Sequence, residues 1–499
     1  IYPAAFDISR PPTLQKAPSP ALPPLPEPET HEKVAIPVTL CYNFVILEIG
    51  SAAMAQLKLF GSARGGARVA KRGKKEKPVK RKKPLKALAI VLAVLLCLEG
   101  LYFLCIYSNI PFIKKYRTIY INTAMNTMRH QWLATYFIPE EIISQVRYEY
   151  GLQIAASNGK ESQWGSADAA SAEVTKPTVN EIEAEIVEVE KPDPEAQARL
   201  AREAFFEVFW EIDEASMDAY VAEHPDVIAN GWGSIHINEA GIEDKGTSIE
   251  SIYGEQVLGL DAENGVLLLR VKDKGYRGVL AVGKNPAALS VETCSTYGSV
   301  GQKIGVTAEE HGGVLAMNGS GYPDPGGAGK GETVAGYAMS NGVEYGAHFT
   351  QWAYKRIELR EDNRFYIKDA SAPTGDGTTD ATEFQPAMII DGVKYTTDVW
   401  TDNNPRACIG QSDKYEILML VIEGRLWLEG INGTSVNTCS DILLQHGCMQ
   451  AMNLDGGSSA MMWFDGKYVM RSSSPDNRYN GGRECPNAWV YKATGTFEE

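Results

Sequence analysis

The sequence predicts an α+β fold: a mixed β-sheet domain with flanking helices, preceded by a transmembrane helix, a disordered linker and a small helical lead-in. Three observations carry this expectation. Beyond residue 253, short apolar runs bounded by Gly, Asp and Asn recur to the end of the chain, as the strands of a folded sheet do. Few stretches of helical period separate them, too few for a regular alternation of strand and helix. Far ahead of them, residues 87–107 are apolar except for Glu99 and directly follow a dense cluster of Arg and Lys.

At 499 residues and 44% apolar content, the chain can bury a full core and hold more than one domain. Its net charge of −15 hides an asymmetry, because residues 54–86 form a strongly basic segment. Residues 1–53 are Pro-rich, begin on Ile1 and lack any period; they read as upstream sequence translated in frame ahead of Met54, or as a disordered tail. The 87–107 run exceeds the apolar region of a usual signal peptide, and no small-residue cleavage site follows it cleanly, which favours an uncleaved anchor over a cleaved signal. With the basic cluster on its N-terminal side, the positive-inside rule places the N-terminus in the cytoplasm and everything after about Ser108 outside the cell.

Residues 108–154 mix aromatic and charged side chains, and Pro139-Glu140-Glu141 opens a helix, so this stretch reads as a juxtamembrane helical segment. Residues 155–194 are rich in Ala, Ser, Glu and Pro, with an acidic run from Glu181 to Glu190 that would repel itself into an extended linker. Across 195–252, Leu200, Phe205, Val208, Phe209 and Ile212 recur at helical spacing and continue in Met217, Tyr220 and Val221, the helical lead-in. In the 253–499 domain, strands are expected at 266–271, 278–282, 314–317, 387–390, 407–409, 417–422 and 488–491. A short helix capped by Thr438 should end near His446, with Gly447 in the C′ position. A strand at 451–454 follows, Gly456-Gly457 breaks it, and a strand at 460–464 turns at Asp465-Gly466 into 467–470.

The chemistry concentrates in Asn453-Leu454-Asp455-Gly456-Gly457-Ser458-Ser459. Asp455 falls at a strand end beside two glycines without Cβ atoms, so a ligand can approach main-chain N–H groups closely, and Ser458 and Ser459 add hydroxyl donors. A carboxylate beside an anion cradle suits a phosphorylated or polyhydroxylated ligand; on composition alone, a polar turn is the competing reading. The stretch resembles the signature of the phosphodiester glycosidase family. Other pieces occur in that family's order: Ala316 to Tyr322 around Asn318-Gly319, Asn404 to Gly410 around Arg406, Glu423-Gly424-Arg425, and Arg483 to Asn487. The resemblance spans about 251–492.

The resemblance implies a hydrolase that cleaves the C1–O bond of a sugar-1-phosphodiester in a cell-surface glycan or polysaccharide. Asp455, Arg406, Asn318 and Asn453 would be the catalytic set, with Gly319, Gly456, Gly457, Ser458, Ser459, Arg483 and Asn487 binding substrate. Asp455 would serve at C1, Arg406 would fork onto the phosphate, and Asn318 and Asn453 would orient the sugar. Glu423 stands where the family more often has Asp, which leaves the role of that turn open. A phosphopolymer-binding protein without catalysis and a glycan-transferring biosynthetic enzyme are the alternatives.

Other features imply less. The run 325–331 resembles a nucleotide-binding loop, but Asp324 occupies its first glycine position and Gly331 its Ser/Thr position, so no nucleotide or nucleic acid is expected. His311, His348 and His446 are scattered without a paired carboxylate in the sequence, and neither Asp324 nor Asp402 sits in a calcium-loop spacing; no metal and no cofactor are expected. Cys294, Cys408, Cys439, Cys448 and Cys485 read as buried apolar residues, with a Cys439–Cys448 bridge as an alternative.

Overall fold

The computed structural model describes residues 83–127, 131–154, 157, 159–163, 194–350, 354–396, 402–474 and 479–493. The expectations for 1–82 and for most of the linker lie outside the described residues. Helix α1 (Lys83–Tyr107) contains a stretch, Ala89–Tyr107, long and apolar enough to cross a membrane, and its apolar side chains are largely exposed. Beyond it, α2 (Pro111–Met125), α3 (Trp132–Thr135) and α4 (Glu140–Ile154) close a small core of Ile106, Ile121, Ala134, Ile138, Ile143 and Val146. Pro111 opens α2, where its missing N–H costs nothing.

The remaining helices are α5 (Pro194–Val208), α6 (Glu214–Glu223), α7 (Ile304–Glu310) and α8 (Val436–Gln445). The strands are β1 (His236–Asn238), β2 (Gln256–Asp261), β3 (Val266–Asp273), β4 (Tyr276–Gly283), β5 (Leu289–Thr293), β6 (Gly313–Asn318), β7 (Tyr337–Ser340), β8 (Val343–Gly346), β9 (Lys355–Arg360) and β10 (Phe365–Asp369). They continue as β11 (Thr378–Phe384), β12 (Ala387–Ile390), β13 (Val393–Lys394), β14 (Arg406–Ser412), β15 (Ile417–Ile422), β16 (Cys448–Asn453), β17 (Met462–Phe464), β18 (Lys467–Tyr468) and β19 (Asn487–Lys492). A nine-stranded sheet runs β1-β2-β3-β4-β15-β14-β16-β12-β13, and two five-stranded sheets run β10-β9-β11-β7-β8 and β18-β17-β6-β19-β5. The fold is α+β, as the sequence predicts.

The large sheet is buried on both faces. Val266 and Leu268 of β3 join Met317, Met462 and Trp489 in one core, while Leu267 and Leu269 join Phe209, Val436 and Leu443 in the other. An antiparallel sheet covered on both sides needs apolar residues at successive positions, which explains the unbroken runs in β3 and β15. The lead-in is not separate from this domain: Phe205 and Phe209 pack in the second core, and β1 adds a strand to the large sheet, pairing Ile237 with Leu260.

Two local expectations are corrected. The cap of α8 is Ser435, whose Oγ accepts from Thr438 N at 3.0 Å, so the helix starts earlier than a Thr438 cap would allow. Cys439 and Cys448 are both buried free thiols, not a bridge. Gly447 does take the left-handed C′ conformation, with φ 69°. The start of the stretch read as linker is seated on the domain, with Ser162 N donating to Ile367 O at 3.0 Å and Ser162 Oγ to Gln450 Oε1 at 2.8 Å.

Candidate active site

Strand pairing gathers the motif residues. β6 lies between β17 and β19, matching Met317 to Met462 and Asn318 to Ala488, while β14 matches Cys408 to Asn453 of β16. The ends of β6 and β16 and the starts of β14 and β19 therefore meet around the loop 454–461, although they are far apart in the chain. That loop runs from buried Leu454 through partly exposed Asp455 to Ser458 and returns to the core at Ser459.

Asn318 staples the loop. Its Nδ2 donates to Asp455 O at 2.8 Å and its Oδ1 accepts from Met461 N at 3.2 Å, so a fully buried amide ties both ends of the loop to β6. The amide expected from its Asn-Gly context to grip a sugar is bonded on both sides to main chain, where it holds the loop. Asn487 acts similarly on the neighbouring loop, accepting from Ser320 N at 2.8 Å and donating to Ser320 Oγ at 3.1 Å, and a Cβ on Gly319 would stand 2.5 Å from its Oδ1. Asn453 points the other way, donating to Gln385 O at 2.8 Å. All three asparagines are buried and shape the site through its backbone.

Burial pushes the Asp455 carboxyl up to about 6, with a further upward push from Asp324, against the stabilising hydrogen bonds of Ser459 and Gly456 and the Arg483 charge. Ser459 also meets Tyr322 Oη at 3.1 Å. Arg483 is clamped to Asp324 by two bonds of 2.6 and 2.8 Å and lies over the Tyr322 ring at 4.9 Å. The 325–331 run is tied to this pair, its Gly329 N bonded to Asp324 Oδ1 at 2.7 Å. On another side, Tyr354 meets Phe384 edge to face with centroids 6.4 Å apart, and the Tyr354 hydroxyl is pushed up by burial and by the Asp455 charge.

Arg406 does not fork outward. Its Nη2 donates to Asp402 O at 2.7 Å and Asp402 Oδ2 at 2.9 Å, and its Nε donates to Thr434 O at 3.1 Å. The buried Asp402 explains this: burial pushes its carboxyl up, and the Arg406 charge with donors from Asn126 and Asn404 outweighs that and holds it below the usual range. The Gly457 amide is likewise spent, donating to Pro405 O at 3.1 Å.

A second cation at the loop, besides Arg483, is Arg425. A Cβ on Gly457 would lie 3.2 Å from Arg425 Nη1, so that glycine is what lets the guanidinium lie against the loop. Among the described residues Arg425 has one hydrogen bond, Nη2 to Asn404 Oδ1 at 3.1 Å, and no carboxylate partner. Its backbone is left-handed, with φ 61°, a conformation that costs a non-glycine residue on the order of 1 kcal/mol. Burial and the neighbouring Arg406 hold its guanidinium below its usual value, against the pull of Asp455. Nothing in the sequence marks that backbone strain. Glu423, where the sequence departs from the family pattern, is buried with Oε2 on Arg277 Nε at 2.7 Å and Oε1 on Arg471 N at 2.6 Å, which anchors the turn.

The three histidines each have a carboxylate partner that the sequence does not reveal: His311 with Glu292 at 3.0 Å, His348 with Glu383 at 2.6 Å and His446 with Glu255 at 3.1 Å. A polar cavity of about 590 Å³, lined in part by Tyr253, Arg270 and Tyr276, includes none of the residues around Asp455.

Residues 311–492 match the profile of the family described as phosphodiester glycosidase. A search of curated proteins returns no match. Among solved structures, the chain is similar to the auto-inhibited catalytic domain of zebrafish N-acetylglucosamine-1-phosphodiester alpha-N-acetylglucosaminidase, at 14% identity and TM-score 0.37, over 46% of this chain and 82% of that one. A putative exported protein of Burkholderia pseudomallei matches at 12% identity and TM-score 0.34, over 44% of this chain and 74% of that one. A hypothetical protein from Synechocystis matches at 13% identity and TM-score 0.31, over 48% and 65%.

Proposed function

We propose, from the premise that residues 311–492 form a phosphodiester glycosidase family domain, that this protein is a membrane-anchored extracellular hydrolase cleaving the C1–O bond of a sugar-1-phosphodiester in a cell-surface glycan. One observation carries the reading: a carboxyl raised to about 6, Asp455, shares its loop with Gly457, against which the carboxylate-free Arg425 rests. A phosphate is a good leaving group and needs little acid help, whereas the oxocarbenium-like centre at C1 calls for a carboxylate. Asp455 supplies it, either attacking C1 or activating water there. Arg425 holds the phosphate through its uncommitted N–H groups, a planar fork suited to two phosphate oxygens. Arg406 keeps Asp402 charged and the Pro405 carbonyl in place under Gly457. Tyr354 and Phe384 offer an aromatic wall for the sugar ring. The apolar stretch of α1 is the anchor, and the basic residues before it set the orientation.

The test is hydrolysis of a panel of sugar-1-phosphodiesters by the full chain in ¹⁸O-water. Release of sugar with an unlabelled phosphomonoester supports C1–O cleavage. Label in the phosphomonoester would make the protein a phosphodiesterase that breaks P–O, and binding without turnover on any member of the panel would make it a glycan receptor.

A further inference from the structure

The helices after α1 carry a set of side chains that water does not favour. On α2, Phe112, Tyr116 and Tyr120 recur every four residues and are 69%, 56% and 44% exposed, while Tyr136 and Phe137 just past α3 are 81% and 57% exposed and Trp132 on α3 is 50% exposed. Fourfold spacing places Phe112, Tyr116 and Tyr120 on one stripe of α2. Buried Ile121 and Ala124 face the small core instead. Lys115, beside this stripe, is exposed as well.

These helices are bonded to the end of the apolar helix. Arg117 Nη1 donates to Ile106 O at 2.5 Å and Ser108 O at 3.0 Å, satisfying carbonyls that the end of α1 leaves without helical partners. Tyr102 Oη donates to Phe137 O at 2.8 Å, and Ile106 packs with Ile121 and Ala134. The aromatic stripe is therefore held at the mouth of the apolar stretch by side chains of that stretch itself.

We infer that Phe112, Tyr116, Tyr120, Trp132, Tyr136 and Phe137 form a collar seated in the lipid headgroup layer of the bilayer that α1 crosses; this rests on the anchor reading above. Continuity with α1 names the occupant. Rings with an apolar body and a polar tip gain most at the boundary between hydrocarbon and water, and a neighbouring lysine adds attraction to anionic headgroups. A second copy of the chain could cover a similar face, but it would not account for the bonding of the stripe to the end of a membrane-length helix. The collar has a consequence for the site. α2 ends at Met125, and the Nδ2 of its C-cap residue Asn126 donates to Asp402 Oδ2 at 3.1 Å, so a helix of roughly 22 Å at 1.5 Å per residue separates the start of the collar from the group that holds Arg406.

The experiment reconstitutes the full chain in vesicles of phosphatidylcholine and phosphatidylglycerol, washes them with alkaline carbonate, and compares tryptophan quenching by phosphatidylcholine brominated near the headgroup. The parent should stay with the vesicles, and its brominated-lipid quenching should exceed that of Trp132→Phe, with iodide in the water showing no matching difference. A second variant, Tyr136→Trp in the Trp132→Phe background, should restore the quenching. Retention after the wash with equal lipid quenching in parent and both variants would overturn the collar while leaving the anchor intact. Equal quenching together with a stable dimer in nanodiscs would assign the face to a second copy. Release by the wash would remove the anchor, and the collar with it.

Discussion

The Asn126 amide lies 3.1 Å from the Asp402 carboxylate, joining the juxtamembrane helices to the loop that precedes β14. Asp402 Oδ2 also accepts from Asn404 at 3.0 Å and Arg406 at 2.9 Å, and Asn404 in turn holds Arg425. One carboxylate oxygen thus ties a residue near the apolar helix to the arginine beside Asp455.

Asn126→Ala removes one donor from a buried carboxylate whose other oxygen has no partner among the described residues. The expected cost is about 1 kcal/mol or somewhat more, seen as a drop in melting temperature with a several-fold loss in kcat/KM. Asn126→Asp should be worse, because it sets two carboxylates against each other. An Asp variant as stable and active as the parent would mean the contact is idle.

Arg425→Gly should separate strain from function. Glycine adopts φ 61° without penalty, so relief of roughly 1 kcal/mol offsets the lost hydrogen bond and the melting temperature should stay near the parent's. Turnover of a phosphodiester should fall by about 100-fold or more, and inorganic phosphate should cease to inhibit, as expected when a transition-state charge donor is removed. Calorimetry and phosphate inhibition together check it: retained phosphate inhibition would return the anion role to another cation.

Asn318→Ala leaves the Met461 N–H and the Asp455 carbonyl unbonded in a buried place. We expect a loss of roughly 2–4 kcal/mol in chemical denaturation, with activity falling further than stability because the loop carries Asp455. Asn318→Asp should fail as well, having no N–H to offer Asp455 O. A variant with intact stability would show that the loop is held elsewhere.

Much of this arrangement was legible in the sequence, and the exceptions share a cause. The central strands of the large sheet, β3, β4, β12, β14, β15 and β16, are legible because burial on both faces makes them apolar at successive positions, as in Ile417 to Ile422, whereas its outer strands β1, β2 and β13 are not. β9 is not, since Lys355, Arg356 and Glu358 are polar and yet buried, paired with Arg360 along the same strand and with Asp369 and Glu383 across the sheet. The Asp455 loop stood out through its glycines. Arg406 and Arg425 were harder to tell apart, because the difference lies in Asp402, a buried partner that occupies one guanidinium, and in a left-handed backbone at the other. Pairing at long range leaves no local trace.

Titration of Asp455 gives a prediction on stability. Its carboxyl is raised from the usual 3.8 to about 6, so the folded state disfavours its ionised form: the stability tied to the neutral carboxyl is full below about pH 4 and is lost as pH rises through about 6. Asp455→Asn should therefore melt a few degrees above the parent at pH 7.5, at roughly 2–4 °C per kcal/mol, and level with it at pH 4. Equal melting temperatures at both pH values would mean the carboxyl titrates normally.

Whether Asp455 is the group acting at C1 is decided by the kcat/KM of parent and Asp455→Asn on a sugar-1-phosphodiester across pH 4 to 8. The parent profile should have an acid limb that rises with an apparent pKa near 6, and the Asn variant should be reduced by at least the roughly 100-fold typical of a single acid–base group at every pH. An Asn variant within a few-fold of the parent, keeping the same acid limb, would remove Asp455 from C1 and move the carboxylate elsewhere.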